Sequence, residues 1–165
     1  VSRFLDLLDL EVMRDPQGRP LLTRQGRQLF RVLSRFRYQS DVVAAYRRSA
    51  GIPEPEPAIP GLVETKAGTV TDLCSQPQLT MSMLGEIAQD ESVPHDQVYS
   101  DHCVPREIAD KMLYEACLLM GRPRWKALLI YAAVRIGGGM HWSPAAAAAP
   151  AAGPTPVPPL LPARR

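Results

Sequence analysis

The sequence predicts an α+β fold: a small N-terminal antiparallel β-sheet followed by a helical pair that carries a His-Asp motif. Three observations predict it. A turn-forming Asp-Pro-Gln-Gly run, Asp15 to Gly18, separates the two apolar halves of "LEVMRDPQGRPLLT", as a hairpin connection does. Phe30, Val32, Ser34, Phe36 and Tyr38 alternate at period two, placing them on one face of a strand. After Pro105 and again after Pro123, the apolar residues instead recur at helical spacing.

Residues 4 to 40 read as β structure. A helix over 26 to 36 competes there, because Leu29, Val32, Leu33 and Phe36 also fit a helical stripe. "SAGIPEPEPAIPG", 49 to 61, is Pro-rich, acidic and aperiodic, and reads as an extended linker or surface loop. "LVETKAGTVTDLCSQP", 62 to 77, reads as a short strand and turn ending in a polar loop. Pro105 opens a helix whose apolar face is Ile108, Ala109, Met112, Leu113, Ala116 and Leu119, with Gly121 as its stop. Pro123 opens the next, whose stripe is Trp125, Leu128, Leu129, Ala132 and Ile136. The short connection between them predicts an antiparallel pair. Residues 1 to 142 thus read as one domain. The Ala/Pro-rich stretch 143 to 165 reads as a disordered tail, too poor in bulky apolar groups to offset its ordering entropy.

The chain has 165 residues and a net charge of +2, but the charge is segregated. Residues 1–50 carry ten Arg against five acids, 51–104 one Lys against nine acids, and 105–165 eight bases against three acids. The acidic middle suits a cation better than a phosphate. The Arg-rich first segment lacks the aromatic interleaving of nucleic-acid readers, so a solvated surface is preferred there. No run reaches the roughly 18 apolar residues of a membrane span, and acids interrupt the N-terminal apolar run, against a secretory signal. The expectation is a soluble chain not exported by its own signal. Cys74, Cys103 and Cys117 form no C-x-x-C motif and read as reduced, partly buried thiols; a Cys74–Cys103 bridge is left open.

The chemistry concentrates in "SVPHDQVYSDHCVPREIADKM", 92 to 112. On a short helix begun by Ser92 and Pro94, Tyr99 lies one turn after His95, and Asp96 points about 100° away around the axis. A neutral imidazole can take a proton from a water, which makes His95 a candidate general base with Tyr99 beside it. A carboxylate such as Asp96 can hold a hard cation such as calcium, to polarise a carbonyl oxygen. Asp110, from the next helix, is the candidate orienter of His95. Asp72, in the loop "TVTDLCSQP", and the backbone carbonyl of Leu73 are candidate further oxygen ligands. The structural alternative stays open. Tyr99 can pack on the core, Arg106 and Asp110 can form a plain helix salt bridge, and the whole cluster can tie helices together. His102 and His141 have no ligand spacing with His95 and read as surface or satisfied residues.

"RFRYQSD", "GTVTDLCSQP", "SVPHDQVYS", "PREIADKMLYEA" and "IYAAVRIGG" occur in the order of motifs seen in a family of small uncharacterised phage and prophage proteins, which the chain resembles over roughly 4 to 142. The loop and His-Asp helix are in turn similar to those of the small calcium-dependent phospholipases of bacteria. That resemblance implies Asp72, Leu73 and Asp96 around calcium, His95 as base, Asp110 as its orienter, and an ester bond in lipid as substrate. The phage resemblance implies phage structural proteins as partners and a place in the host cytoplasm or the phage particle, with a non-catalytic assembly role as the alternative. The pattern departs at Thr69, Cys74, Gln78 and Pro94, and the Pro-rich stretch 49 to 61 reads as an insertion.

Overall fold

A computed structural model describes residues 1–23, 26–73, 89–137 and 142. The Asp15–Gly18 turn forms as its residues dictate. The Asp15 carboxylate accepts from the Gln17 and Arg19 amides, both at 2.9 Å, and Gly18 takes φ 79°. The period-two run becomes two strands rather than one, and the competing helix over 26 to 36 does not form. Among the described residues six short strands, β1 (Arg3–Phe4), β2 (Leu10–Val12), β3 (Phe30–Val32), β4 (Phe36–Gln39), β5 (Leu62–Thr65) and β6 (Val70–Thr71), build two antiparallel sheets, ordered β1-β4-β5 and β2-β3-β6. Phe36 and Tyr38 face the core while Arg37 faces out to a fork of two 2.8 Å bonds with Asp6.

A helix then appears that the β reading of this region did not include: α1 (Asp41–Ala50). Its signals are local. Ser40 caps it, accepting from the Val43 amide at 3.1 Å, Asp41 lies in its first turn, and Gly51 closes it at φ 66°. A distant residue completes the start. Glu115 accepts from the Val42 amide at 3.1 Å and from the Tyr38 and Ser40 hydroxyls at 2.7 Å each. A carboxylate at a helix N-terminus complements the dipole there, so Glu115 joins β4 and α1 to the C-terminal helices.

The Pro-rich stretch is a surface segment, but a tied one, and its first two residues belong to α1. Glu54 accepts from the buried Arg47 guanidinium and from the Gly61 amide, each at 2.9 Å. Gly61 has φ +74°, and a Cβ there would overlap the Ser40 carbonyl oxygen and crowd Ala44, so only glycine lets β5 pass beneath α1.

Among the described residues three further helices follow: α2 (Gln89–Asp101), α3 (Arg106–Leu119) and α4 (Arg124–Gly137). α2 does not begin at Ser92 and Pro94; Pro94 stands inside it, lacking the N–H that would bond the carbonyl one turn back. α3 presents Ala109, Met112, Leu113 and Ala116 to the core as its spacing predicts, with Leu119 exposed at its end. Gly121, at φ 78°, ends the turn. α4 runs back antiparallel, for Arg106 at the start of α3 donates to the carbonyls of Val134 (2.9 Å) and Arg135 at the end of α4. The core-facing stripe of α4 is Ala127, Ile130 and Val134, opposite the one expected; Trp125, Leu128, Leu129, Ala132 and Ile136 are exposed. Both faces of this helix are apolar, so periodicity alone could not choose between them. The small Ala127 allows the close approach to Leu113 and Cys117 that decides it.

The main core joins Tyr38 and Val63 of the first sheet to α1, α2 and α3, and a second, Val32, Phe36, Leu73 and Val93, joins the sheets to α2. Cys103 and Cys117 are free thiols, and Cys74 lies outside the described residues, as does the 143 to 165 tail.

Candidate functional site

α2 is buried along the side that bears Glu91, His95 and Tyr99, one helical turn apart. The packing that orders this side is supplied by α3. Asp110, fully buried, sits opposite His95, whose Nε2 lies 3.3 Å from its Oδ1. The same oxygen accepts the Tyr99 hydroxyl at 2.5 Å, and Oδ2 accepts Arg135 Nη1 at 3.0 Å. Arg106 approaches Oδ2 at 3.7 Å, an ion pair between residues four apart, while its Nη2 caps α4.

Burial alone would push the Asp110 carboxyl up. Hydrogen bonds from His95, Tyr99 and Arg135 outweigh it and hold the group below the ordinary carboxylate range. Asp110 is therefore an acceptor at neutral pH. The neutral tautomer of His95 that matches it carries its proton on Nε2 and a lone pair on Nδ1. Nδ1 is buried and has no hydrogen-bond partner among the described residues. The ring is stacked at a tilt on Tyr99, centroids 4.2 Å apart, and Tyr99 meets Trp142 edge-on at 4.9 Å.

Asp96 is pinned in a parallel way from the sheet side. Its Oδ2 accepts the Thr71 hydroxyl at 2.7 Å, and that hydroxyl accepts the Leu73 amide at 3.0 Å. Oδ1 is buried without a partner among the described residues. Burial pushes this carboxyl up to about 6; His95, Thr71 and Arg27 lower it and Asp72 raises it. Asp72 lies close enough to matter electrostatically, yet it is itself paired with Arg27 at 3.3 Å. Leu73 takes φ 55°, a left-handed conformation that costs a β-carbon-bearing residue about 1 kcal/mol.

The sequence-predicted residues divide accordingly. His95, Tyr99 and Asp110 are brought into contact; Asp96 adjoins them and faces the β6 loop that bears Asp72 and Leu73. Arg135, which holds Asp110, was not singled out from the sequence, although it lies in the "IYAAVRIGG" run. Glu91 was missed as well: it is buried one turn before His95, accepts from Arg122 at 2.7 Å, and is pushed up by burial. A four-residue spacing ahead of His95 was the available signal. His102 is satisfied at one ring nitrogen only, its Nδ1 lying 3.2 Å from the Ser100 carbonyl oxygen. It is half-buried against Trp142, takes φ 51°, and its Nε2 has no partner among the described residues. His141 lies outside them.

Calcium asks for six to eight oxygens at about 2.3–2.6 Å. No group of three or more His, Cys, Asp or Glu able to hold a metal occurs among the described residues. The set read from the sequence has two carboxylates and a backbone carbonyl. Its donors are of the right hard type, and the orphaned Asp96 Oδ1 is a buried oxygen that a cation would satisfy. Asp72 fits if its carboxylate is shared with, or released by, Arg27.

Neither a curated protein nor a solved structure matches the chain. A family model described as "Protein of unknown function (DUF1353)" matches residues 56–134. The matched span holds His95, Asp96, Tyr99 and Asp110, stops one residue short of Arg135, and leaves out β1 to β4 and α1. It carries no assigned activity, and supplies neither a phage nor a phospholipase context. Over residues 56–134, somewhat under half of its length, the chain is similar to the DUF1353 family.

Proposed function

We propose that the chain is a hydrolase of ester bonds, with His95 as general base and Asp110 as its orienting partner. The observation that carries this reading is two buried polar atoms with no partner among the described residues, His95 Nδ1 and Asp96 Oδ1, on consecutive residues of α2 whose side chains are each fixed at the other end. Leaving a buried polar atom unpaired costs about 1–3 kcal/mol, so two on consecutive residues mark a place built to meet something else.

His95 Nδ1 takes a proton from a water as its oxygen bonds to the ester carbonyl carbon. The imidazolium is stabilised by the ionised Asp110, itself held by Tyr99 and Arg135. When the tetrahedral adduct collapses, the C–O bond to the leaving alcohol breaks and the imidazolium returns the proton to the alkoxide. Tyr99 orients Asp110 and presses on the imidazole. Asp96, Asp72 and the Leu73 carbonyl are the residues that would hold calcium, which when bound would polarise the carbonyl oxygen.

Calorimetric titration with calcium, together with hydrolysis of a chromogenic ester, tests this in the wild type and in Asp96→Asn. Saturable one-site binding and turnover, both lost in the variant, support it. Two folded proteins that give no heat and no turnover refute it.

A second reading has its own observation. Asp110 joins α2, α3 and α4 through Tyr99, His95, Arg135 and Arg106 with both oxygens satisfied, as a structural tie would. On that reading the chain is a non-catalytic particle or assembly protein, and His95 is part of the tie.

A further inference from the structure

α4 has an apolar stripe on the side away from the core. Trp125, Leu128, Leu129 and Ile136 are 57, 53, 49 and 86% exposed, and Ala132 between them is exposed too. At about 100° per residue these five fall within an arc of about 100°. The buried face, Ala127, Ile130 and Val134, lies opposite. Soluble helices scatter single apolar residues on their surfaces; a continuous stripe on one face marks an interaction surface.

The charges beside the stripe say what covers it. α4 contains no acidic residue. Arg124 flanks one edge and Lys126 the other, with Lys126 Nζ 5.5 Å from the Trp125 ring centroid. Arg135, on the same edge as Arg124, is engaged with Asp110. A second copy packed parallel would set Arg124 against Lys126, and one packed antiparallel would set Arg124 near Arg135, so neither pairing supplies the anions these cations ask for. A short helix with Trp, Leu and Ile on one face and cations at both edges matches the elements that lie in the interface of anionic bilayers. Among the described residues no helix is long and apolar enough to cross a membrane, so the helix would rest on the surface.

We propose that the outer face of α4 docks the protein on an anionic lipid surface, Trp125, Leu128, Leu129 and Ile136 entering the headgroup boundary while Arg124 and Lys126 meet lipid phosphates. The inference stands on α4 alone: a chain inert toward esters would still bind vesicles, so the two readings fail separately.

The test is co-sedimentation of the full chain with phosphatidylcholine vesicles with and without about one third phosphatidylserine, at physiological salt. Binding is expected on the anionic vesicles and much less on the neutral ones. Arg124→Gln with Lys126→Gln should weaken it about 25-fold, about fivefold per cation. Leu128→Ser with Ile136→Ser should abolish it while leaving the melting temperature within a few degrees, because both side chains are exposed. Failure of the wild type to bind, equal binding to neutral vesicles, or binding unmoved by the Ser variant would overturn the proposal. So would a concentration-dependent dimer that the Ser variant dissolves.

Discussion

Replacing Asp110 by Asn probes the hub on which both readings of the cluster depend. The carboxylate accepts Tyr99 at 2.5 Å and Arg135 at 3.0 Å, and faces His95 at 3.3 Å. Asn retains one oxygen, so one of these donors keeps a partner. The others lose an ionised acceptor, each such bond contributing about 1.5–3 kcal/mol. Breaking a buried pair by removing one member costs about 3–5 kcal/mol, but Arg135 is 38% exposed and can turn to water, which moves the figure to the lower end. The expected loss is about 3 kcal/mol in urea unfolding at pH 7, or about 6–12 °C in melting temperature. The pH dependence has a definite sign. The folded carboxyl titrates below its ordinary 3.8, so its stabilisation is present above about pH 4 and is lost as pH falls through the folded value. The gap between wild type and variant should therefore close in acid. A loss under about 1 kcal/mol at pH 7, or a gap of equal size at pH 2, would refute the assignment of Asp110 as the ionised hub.

Asp96 should behave in the opposite way. Its folded carboxyl is raised from 3.8 to about 6, so the folded state is penalised increasingly from about pH 4 to 6 and fully above that. Asp96→Asn, which can still accept from Thr71, is expected to gain about 2–3 kcal/mol at pH 8 and almost nothing at pH 4, read from unfolding midpoints; a loss at pH 8 would show the charge to be compensated. Gly61→Ala is expected to cost at least about 3 kcal/mol in urea unfolding, because the added methyl overlaps the Ser40 carbonyl at a positive φ; an ordinary 1 kcal/mol effect would mean that β5 and α1 can separate freely.

Much of this organisation is local and so was legible. Turn chemistry placed the Asp15–Gly18 hairpin, period-two alternation placed Phe36 and Tyr38 inward, and Pro105 and Gly121 bounded α3. His95, Tyr99 and Asp110 were singled out because a turn of helix and a short connection bring them together. What escaped was decided at long range. α1 was legible only in its caps, Ser40 and Gly51, while its anchor, Glu115, comes from a helix more than 70 residues later. The inward face of α4 was misjudged because packing of Ala127 on α3, not periodicity, selects it. Arg135 carries no local sign of its partner, since Asp110 lies 25 residues away. Glu91 escaped because a buried carboxylate is recognised by the Arg122 that pairs with it, and that arginine stands beyond α3.

His95→Asn, measured for ester hydrolysis and for unfolding free energy on the same preparation, separates a working site from a structural tie most directly. Asn can still donate toward Asp110, so an acid–base site should lose turnover by about 100-fold or more while stability changes by less than about 1 kcal/mol. An unchanged rate, or a loss of about 3 kcal/mol in stability with no turnover to lose in the wild type, would contradict the assignment of His95 as a base.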